Sequence, residues 1–308
     1  MKAIIIGYGI QGKKRRLSLK KEEYVCSVDP YSKKTKYKYI NEVPINLYDT
    51  VFICTPDNEK IKIIEYCIKN RKNFLIEKPF PLSSIKKIKY LEKLSNKNKV
   101  ICYVAYNHRF EPHIIKIKDY LKSGRLGKIY SCKIFYGNGT SKLVKKSKWK
   151  DKGLGVVVDL STHLLDICNY WFGIKKKIFS NISVDKFENK SPDNALIYEK
   201  INNIKFQLEL TYCMWKNNFF CDIIGEKGSI RMSSLCKWGK ATLKIRTRVF
   251  PSGKPHEKKF IIKMKDPTWN LELNHFRRLI RSKKNNNLIK DIWINNNLLN
   301  FKKILKNL

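Results

Sequence analysis

Three groups of residues in this 308-residue chain are suited to chemistry. Gly7-Tyr8-Gly9-Ile10-Gln11-Gly12 follows the apolar run Ala3-Ile4-Ile5-Ile6 and precedes a helical stretch. In that context Gly7 permits a tight turn, Gly9 admits a pyrophosphate close to the backbone, and Gly12 lets the helix pack closely. The first amides of the helix, at Ile10 and Gln11, are anion donors. Glu77-Lys78-Pro79 comes directly after Phe74-Leu75-Ile76, which sets a lysine at the carboxyl end of a buried strand. That edge is where open α/β sheets bind ligands. Asp159 and His163 stand four residues apart, so a helix carries both on one face, one turn apart. An imidazole so placed exchanges protons near neutral pH.

The elements that must position these groups follow from periodicity. Short β-branched runs at 3–6, 24–28, 51–54, 73–76 and 100–104 alternate with helical stretches after the glycine loop, at 58–70 and at 83–94. Ser83 or Ser84 suits the cap of that last helix. This alternation predicts a parallel sheet wrapped by helices. A further helix over 112–122 stops at Gly124, and the domain boundary is placed there, giving domains 1–122 and 123–308. The second domain reads as a strand at 128–135, a polar loop through Lys150, and a helix from Gly155 or Val158. Strands follow at 178–184, 195–201, 205–213, 219–224 and 229–232, with weaker ones to Lys263. Successive strands with short turns imply a largely antiparallel sheet. Helices over 268–282 and 289–306 close the chain.

Composition narrows the function. Nine cysteines are scattered without a C-x-x-C pair and read as reduced core residues of a cytoplasmic protein. Neither disulfides nor a metal site is expected. No apolar run reaches eighteen residues, which argues against a membrane span. The net charge of +39 comes from lysines spread along the whole chain. A nucleic-acid footprint needs clustering with stacking aromatics, so no nucleic-acid partner is expected.

Two further positions belong to the glycine-loop edge. Asp29 ends the second strand about 20 residues beyond the glycines, where an acid accepts hydrogen bonds from ribose hydroxyls and favours NAD. Lys33 and Lys34 follow and offset repulsion of a ribose phosphate, which leaves NADP open. Thr55-Pro56 ends the third strand at the same edge and lines the nicotinamide ribose in this reading.

Together these motifs resemble the Gfo/Idh/MocA oxidoreductases over nearly the whole chain. The resemblance rests on the glycine loop, Asp29, Thr55-Pro56, Glu77-Lys78-Pro79, Tyr106-Asn107-His108-Arg109-Phe110, Gly124-Arg125-Leu126-Gly127, Asp159-x-x-x-His163 and Gly225-Glu226-Lys227-Gly228. It implies an N-terminal Rossmann fold and a C-terminal α+β domain on an open, mostly antiparallel sheet, and the exposed face expected of that sheet suggests a homodimer or homotetramer. It also implies an NAD-dependent dehydrogenase acting on a CH–OH group of a sugar-type substrate, extended here to an anionic or nucleotide-linked sugar of surface-glycan synthesis. In the implied mechanism His163 takes the carbinol proton, Asp159 holds the sugar and influences His163, and Lys78 orients the reacting oxygen. Glu77 is counted with the cofactor residues. Asn107, Arg109 and Lys150, beside Trp149, are substrate candidates, with an interface salt bridge the competing role for Arg109. The chain departs from its relatives at Lys60, where a histidine is common, and in the basic run Lys13-Lys14-Arg15-Arg16. The alternatives are an imine or bilin reductase of the same family, a dinucleotide-binding sensor without turnover, and a nucleic-acid-associated protein.

Overall fold

The computed structural model describes residues 1–82, 84–147, 150–174, 176–283 and 288–306, the side chains of 288–291 excepted. Ser83 and Trp149 therefore lie outside the described residues. In chain order the first elements are β1 (Ala3–Ile6), α1 (Ile10–Ser18), β2 (Tyr24–Val28), β3 (Thr50–Ile53), α2 (Asp57–Lys69), β4 (Asn73–Glu77), α3 (Ile85–Lys97) and β5 (Cys102–Ala105). Next come α4 (Pro112–Lys122), β6 (Ile129–Gly137), α5 (Ser141–Lys145) and α6 (Val156–Phe172). The rest are β7 (Asn181–Asp185), β8 (Asn194–Ile201), β9 (Ile204–Thr211), β10 (Asn218–Gly225), β11 (Gly228–Ser233), β12 (Ala241–Val249), β13 (Gly253–Ile262), α7 (Thr268–Ser282) and α8 (Leu288–Ile304).

Two compact units make up the chain: Met1–Asn107 with Trp269–Asn296, and His108–Thr268 with Asn297–Leu308. The helix α4, grouped by sequence with the first domain, falls in the second unit, while most of α7 falls in the first.

In the first unit β2-β1-β3-β4-β5 form a parallel sheet. Continuous apolar runs make its strands because helices cover both faces of such a sheet, and β1 and β3 are buried at every position. From β1 the chain goes first to β2 on one side and then to β3 on the other, so the crevice at the carboxyl ends of β1 and β3 is the topological switch point. Ser84 caps α3, its hydroxyl accepting from the Lys87 amide at 3.2 Å. α7 supplies Leu273 and Phe276 to the core formed by Ala3, Ile5, Phe52, Leu75 and Tyr103. Phe276 meets Phe52 edge-on, with ring centroids 6.1 Å apart.

The second unit is an eight-stranded sheet in the order β13-β12-β11-β10-β6-β9-β8-β7, antiparallel except where β6 pairs with β9. α6 packs on its β6, β8 and β9 strands, and α4 packs on α6 and β12. The indole Nε1 of Trp171 donates to the Ile114 carbonyl at 3.0 Å and ties those two helices. The stretch read as a polar loop before Lys150 contains the short helix α5, and the weaker strands before Lys263 are the hairpin β12–β13. Among the described residues no helix is long and apolar enough to cross a membrane, and the nine cysteines are free thiols.

Candidate active site

Gly7 follows β1 with φ +86°, and a Cβ there meets the Cys54 carbonyl oxygen at 2.7 Å. A Cβ on Gly12 stands 2.1 Å from the Gly7 carbonyl oxygen. Loop and helix can therefore close this tightly only with glycine at both positions. Among the described residues nothing lies within 4 Å of the Cβ position of Gly9, so the cradle is open where a phosphate would approach. α1 begins next, with no side-chain cap and no acidic residue in its first turn, which leaves the amides of Ile10 and Gln11 facing outward as donors.

Asp29, at the end of β2, turns its carboxylate toward this loop: Oδ2 accepts from the Tyr8 amide at 2.7 Å and Oδ1 from the Tyr31 amide at 2.9 Å. Each oxygen keeps a further lone pair for a ribose hydroxyl. Thr55, with Pro56 at the end of β3, has its Oγ1 buried without a hydrogen-bond partner. The open cradle and this orphaned hydroxyl, both at the switch point, fit a dinucleotide.

The Glu77-Lys78-Pro79 segment continues from β4, and its Lys78–Pro79 peptide is cis. Two buried cations meet it. Arg15, 1% exposed, donates from Nε to Glu77 at 2.5 Å and from Nη2 to Glu272 at 2.7 Å. Burial alone lowers the Arg15 pKa, and the two carboxylates outweigh it and hold the guanidinium charged. Lys60, 2% exposed in the first turn of α2, donates from Nζ to the carbonyls of Glu77 and Pro79, each at 2.8 Å. It also pairs with Asp57 at 2.7 Å. Burial lowers the Lys60 pKa against the opposing pull of Asp57. Neither buried role was read from the sequence. Arg15 lies three residues after Gly12 on the face that packs closely, and that spacing was the available signal.

In the second unit α6 is apolar over most of its surface, with Leu160, Leu164, Leu165 and Ile167 buried. Asp159, His163 and Asp166 interrupt it at helical spacing. The helix start is fixed by Gly155, whose φ is +47° and whose Cβ position lies 2.2 Å from the Pro192 carbonyl oxygen. Asp151 holds the same turn by accepting from the Ser191 amide at 2.8 Å. His163, 6% exposed, lies with its ring centroid 3.9 Å from that of His108 and 6.1 Å from that of Tyr136.

Tyr212, just beyond β9, donates its hydroxyl to Asp159 Oδ2 at 3.1 Å. Burial raises the pKa of Tyr212 and of Tyr136, and the charge of Asp159 raises both further. Both phenols thus stay protonated donors. His108 Nε2 lies 3.4 Å from Lys237 Nζ. Sequence reasoning gave no role to Tyr212, Tyr136, His108 or Lys237, since they come from four segments far apart in the sequence.

The remaining substrate candidates stand differently. Arg109 donates from Nε to Asp166 at 2.6 Å, and its Nη2 pairs with the other oxygen of the same carboxylate. This bidentate pair lies within the second unit. Lys150 is exposed, its amide donating to the Ser147 hydroxyl at 3.3 Å. Asn107 opens a 3₁₀ turn, Asn107–Phe110, and is half-buried.

Residues 118–285 match the sequence profile described as the oxidoreductase family, C-terminal alpha/beta domain, GFO_IDH_MocA_C. A scyllo-inositol 2-dehydrogenase (NAD(+)) of Bacillus subtilis (strain 168) is 25% identical over 248 residues, 77% of this chain and 68% of that enzyme. A levoglucosan dehydrogenase in complex with NADH has the same fold, with TM-score 0.82 at 16% identity over 99% of this chain and 97% of that one. A UDP-N-acetylglucosamine 3-dehydrogenase of Acidithiobacillus ferrooxidans superposes with TM-score 0.78 at 15% identity over 97% and 95%. With a profile match over more than half its length, a parallel sheet that ends in a glycine cradle and a second, mostly antiparallel sheet, the chain belongs to the Gfo/Idh/MocA oxidoreductase family.

Proposed function

We propose that this chain is an NAD-dependent dehydrogenase that interconverts a ring CH–OH and its carbonyl on a sugar or cyclitol. The observation that carries the reading is the Asp159–His163 pair on α6, held by Tyr212, in a member of this family. Gly7, Gly9 and Gly12, with the amides of Ile10 and Gln11, hold the pyrophosphate, and Asp29 accepts from the adenosine ribose. A carboxylate there disfavours a ribose phosphate, which is why NAD is named over NADP. Thr55 and Pro56 face the nicotinamide side. Bound NAD supplies the hydride acceptor.

The protein's part is to move the proton and to stabilise charge. His163 takes the proton of the carbinol at an imidazole nitrogen. Asp159 orients that imidazole and accepts from a substrate hydroxyl, while Tyr212 fixes Asp159. Lys78 stabilises the negative charge that develops on the reacting oxygen. The finer part of the proposal is an anionic or nucleotide-linked sugar, supported by the net charge of +39 and by Lys237 and Lys150 in the second unit. Arg109 acts through Asp166 as a brace for α6.

The test is a panel of myo-inositol, scyllo-inositol, levoglucosan, glucose 6-phosphate and UDP-N-acetylglucosamine, each with NAD and with NADP, followed by cofactor absorbance. At least one ring alcohol is expected to reduce NAD, and His163→Ala is expected to lower kcat by about 10²–10⁴-fold. Turnover unchanged in His163→Ala, or reduction of NAD by none of the panel, would sink the assignment.

A further inference from the structure

Lys60 is a buried cation that the proposed chemistry does not use. Its Nζ lies 2.8 Å from the carbonyl oxygen of Glu77 and 2.8 Å from that of Pro79, the residues on either side of Lys78. An ammonium has three protons to donate, and Asp57 accepts from the third direction at 2.7 Å. Every donor is thereby matched, and the desolvation of a fully buried cation is offset. Arg15 holds the Glu77 side chain, so the residue before Lys78 is fastened by both its carbonyl and its carboxylate.

Lys60 belongs to the first turn of α2, which starts directly after Thr55-Pro56. The buried Thr55 hydroxyl and the backbone of Lys78 are therefore linked through one short rigid path: the β3–α2 turn, the Lys60 side chain and two carbonyls. A neutral aliphatic side chain at position 60 keeps the volume and loses the link.

We infer that Lys60 is a positioning residue that clamps the backbone on both sides of Lys78 and so sets where the Lys78 ammonium stands when the dinucleotide site is filled. The inference rests on Lys78 belonging to the cofactor edge of the reacting centre. Lys60 touches no reactant and acts through Lys78 alone. Its removal therefore leaves cofactor affinity in place and frees the lysine, which separates it from a residue that merely supports the fold.

The test uses the full-length protein and NADH as the probe. NADH affinity is read by fluorescence titration. The acylation rate of the Lys78 amine by N-acetoxysuccinimide is read by peptide mass spectrometry, with and without NADH at about ten times its Kd. In the wild type, NADH is expected to slow acylation of Lys78 by about tenfold at that occupancy. Lys60→Met is expected to keep the NADH Kd within about threefold while protection of Lys78 falls below about twofold. Lys60→Arg, which retains donors for both carbonyls, restores protection. If Lys60→Met does not fold, Lys60→Gln, which reaches one carbonyl only, takes its place under the same two readouts. Protection that survives the loss of Lys60, or NADH binding lost in step with it, overturns the clamp. A wild-type Lys78 that NADH does not protect overturns the reading of Lys78 as a cofactor-edge residue, and the clamp with it.

Discussion

Tyr212 spends its buried hydroxyl on a single acceptor, Asp159 Oδ2, and its own amide donates to the Asp193 carbonyl at 2.8 Å. The ring is thus fixed at both ends before any substrate arrives. Tyr212→Phe removes one hydrogen bond to a charged group and is expected to cost about 1.5–3 kcal/mol. In steady-state kinetics this reads as roughly a tenfold or greater fall in kcat/KM if Asp159 must be oriented for the reaction. A variant with unchanged kcat/KM would remove Asp159 from the reacting group. Arg15 presents the opposite case, a charge whose loss leaves Glu77 and Glu272 facing one another without the cation between them. Arg15→Met is expected to destabilise the first unit by about 3–5 kcal/mol, measured by urea denaturation. The burial of Arg15 and Lys60 was not read from the sequence because a basic residue in a helix reads as solvated. Their burial depends on Glu77, 62 residues from Arg15 and 17 from Lys60.

At the scale of elements, the glycine loop separates two kinds of constraint. Gly12→Ala forces a Cβ to within 2.1 Å of a backbone oxygen, whereas Gly9→Ala meets nothing within 4 Å. Gly9→Ala is therefore expected to leave Tm within about 2 °C, since surface changes stay within ±0.5 kcal/mol, while weakening NADH by about tenfold or more because the new methyl occupies the cradle. Gly12→Ala is expected to lower both. Thermal melts and fluorescence titration check the pair; equal effects of the two changes would contradict the cradle.

A second element-scale test concerns α7. Arg277 donates to both oxygens of Glu23, at 2.9 and 2.5 Å. Burial raises the Glu23 pKa, but the Arg277 bonds and the Lys20 amide outweigh it and leave it below the ordinary value. A carboxylate depressed in the folded state contributes its stability above the unfolded pKa and loses it as pH falls through the folded one. Glu23→Gln should lower Tm by about 2 °C at neutral pH, with the difference vanishing once the medium is acidic enough to protonate wild-type Glu23. A difference that persists there would show that packing, not the ion pair, holds α7 at this point.

Strands β2 and helices α4 and α7 lie where periodicity set them, because each has strong patterning and a clear stop such as Ser123-Gly124. α5 was hidden by its length of five residues, and β13 gave only a weak strand signal because it is exposed along most of its run. The spacing of Asp159 and His163 was legible as one helical face; the tyrosines and His108 around them were not, since each comes from a segment distant from α6 in the sequence.

At the scale of the whole molecule, the sheet of the second unit has a face that α6 does not cover. There Phe135 stacks on Phe220 at 5.2 Å, and Ile224 is 49% exposed. Such a patch on a lysine-rich surface is expected to be self-complementary, and light scattering should return a dimer or tetramer. Ile224→Lys should shift that mass toward the monomer; a monomeric wild type would refute the idea. A chain ending at residue 262 lacks Leu273 and Phe276, both fully buried, and is expected to be insoluble or unfolded on expression, since each large core side chain contributes about 2–5 kcal/mol.

The same helix sets a timetable for biosynthesis. Residues 108–268 separate the parallel sheet from α7, and a ribosome needs about 8–32 s to make them at the usual rate. Through that interval the earliest-made strands have emerged while the helix that seals one face of their core is still unwritten. Docking of α7 on the parallel sheet therefore waits until residues 108–268 have been made. The apolar face that Leu273 and Phe276 cover stays open until α7 has been made.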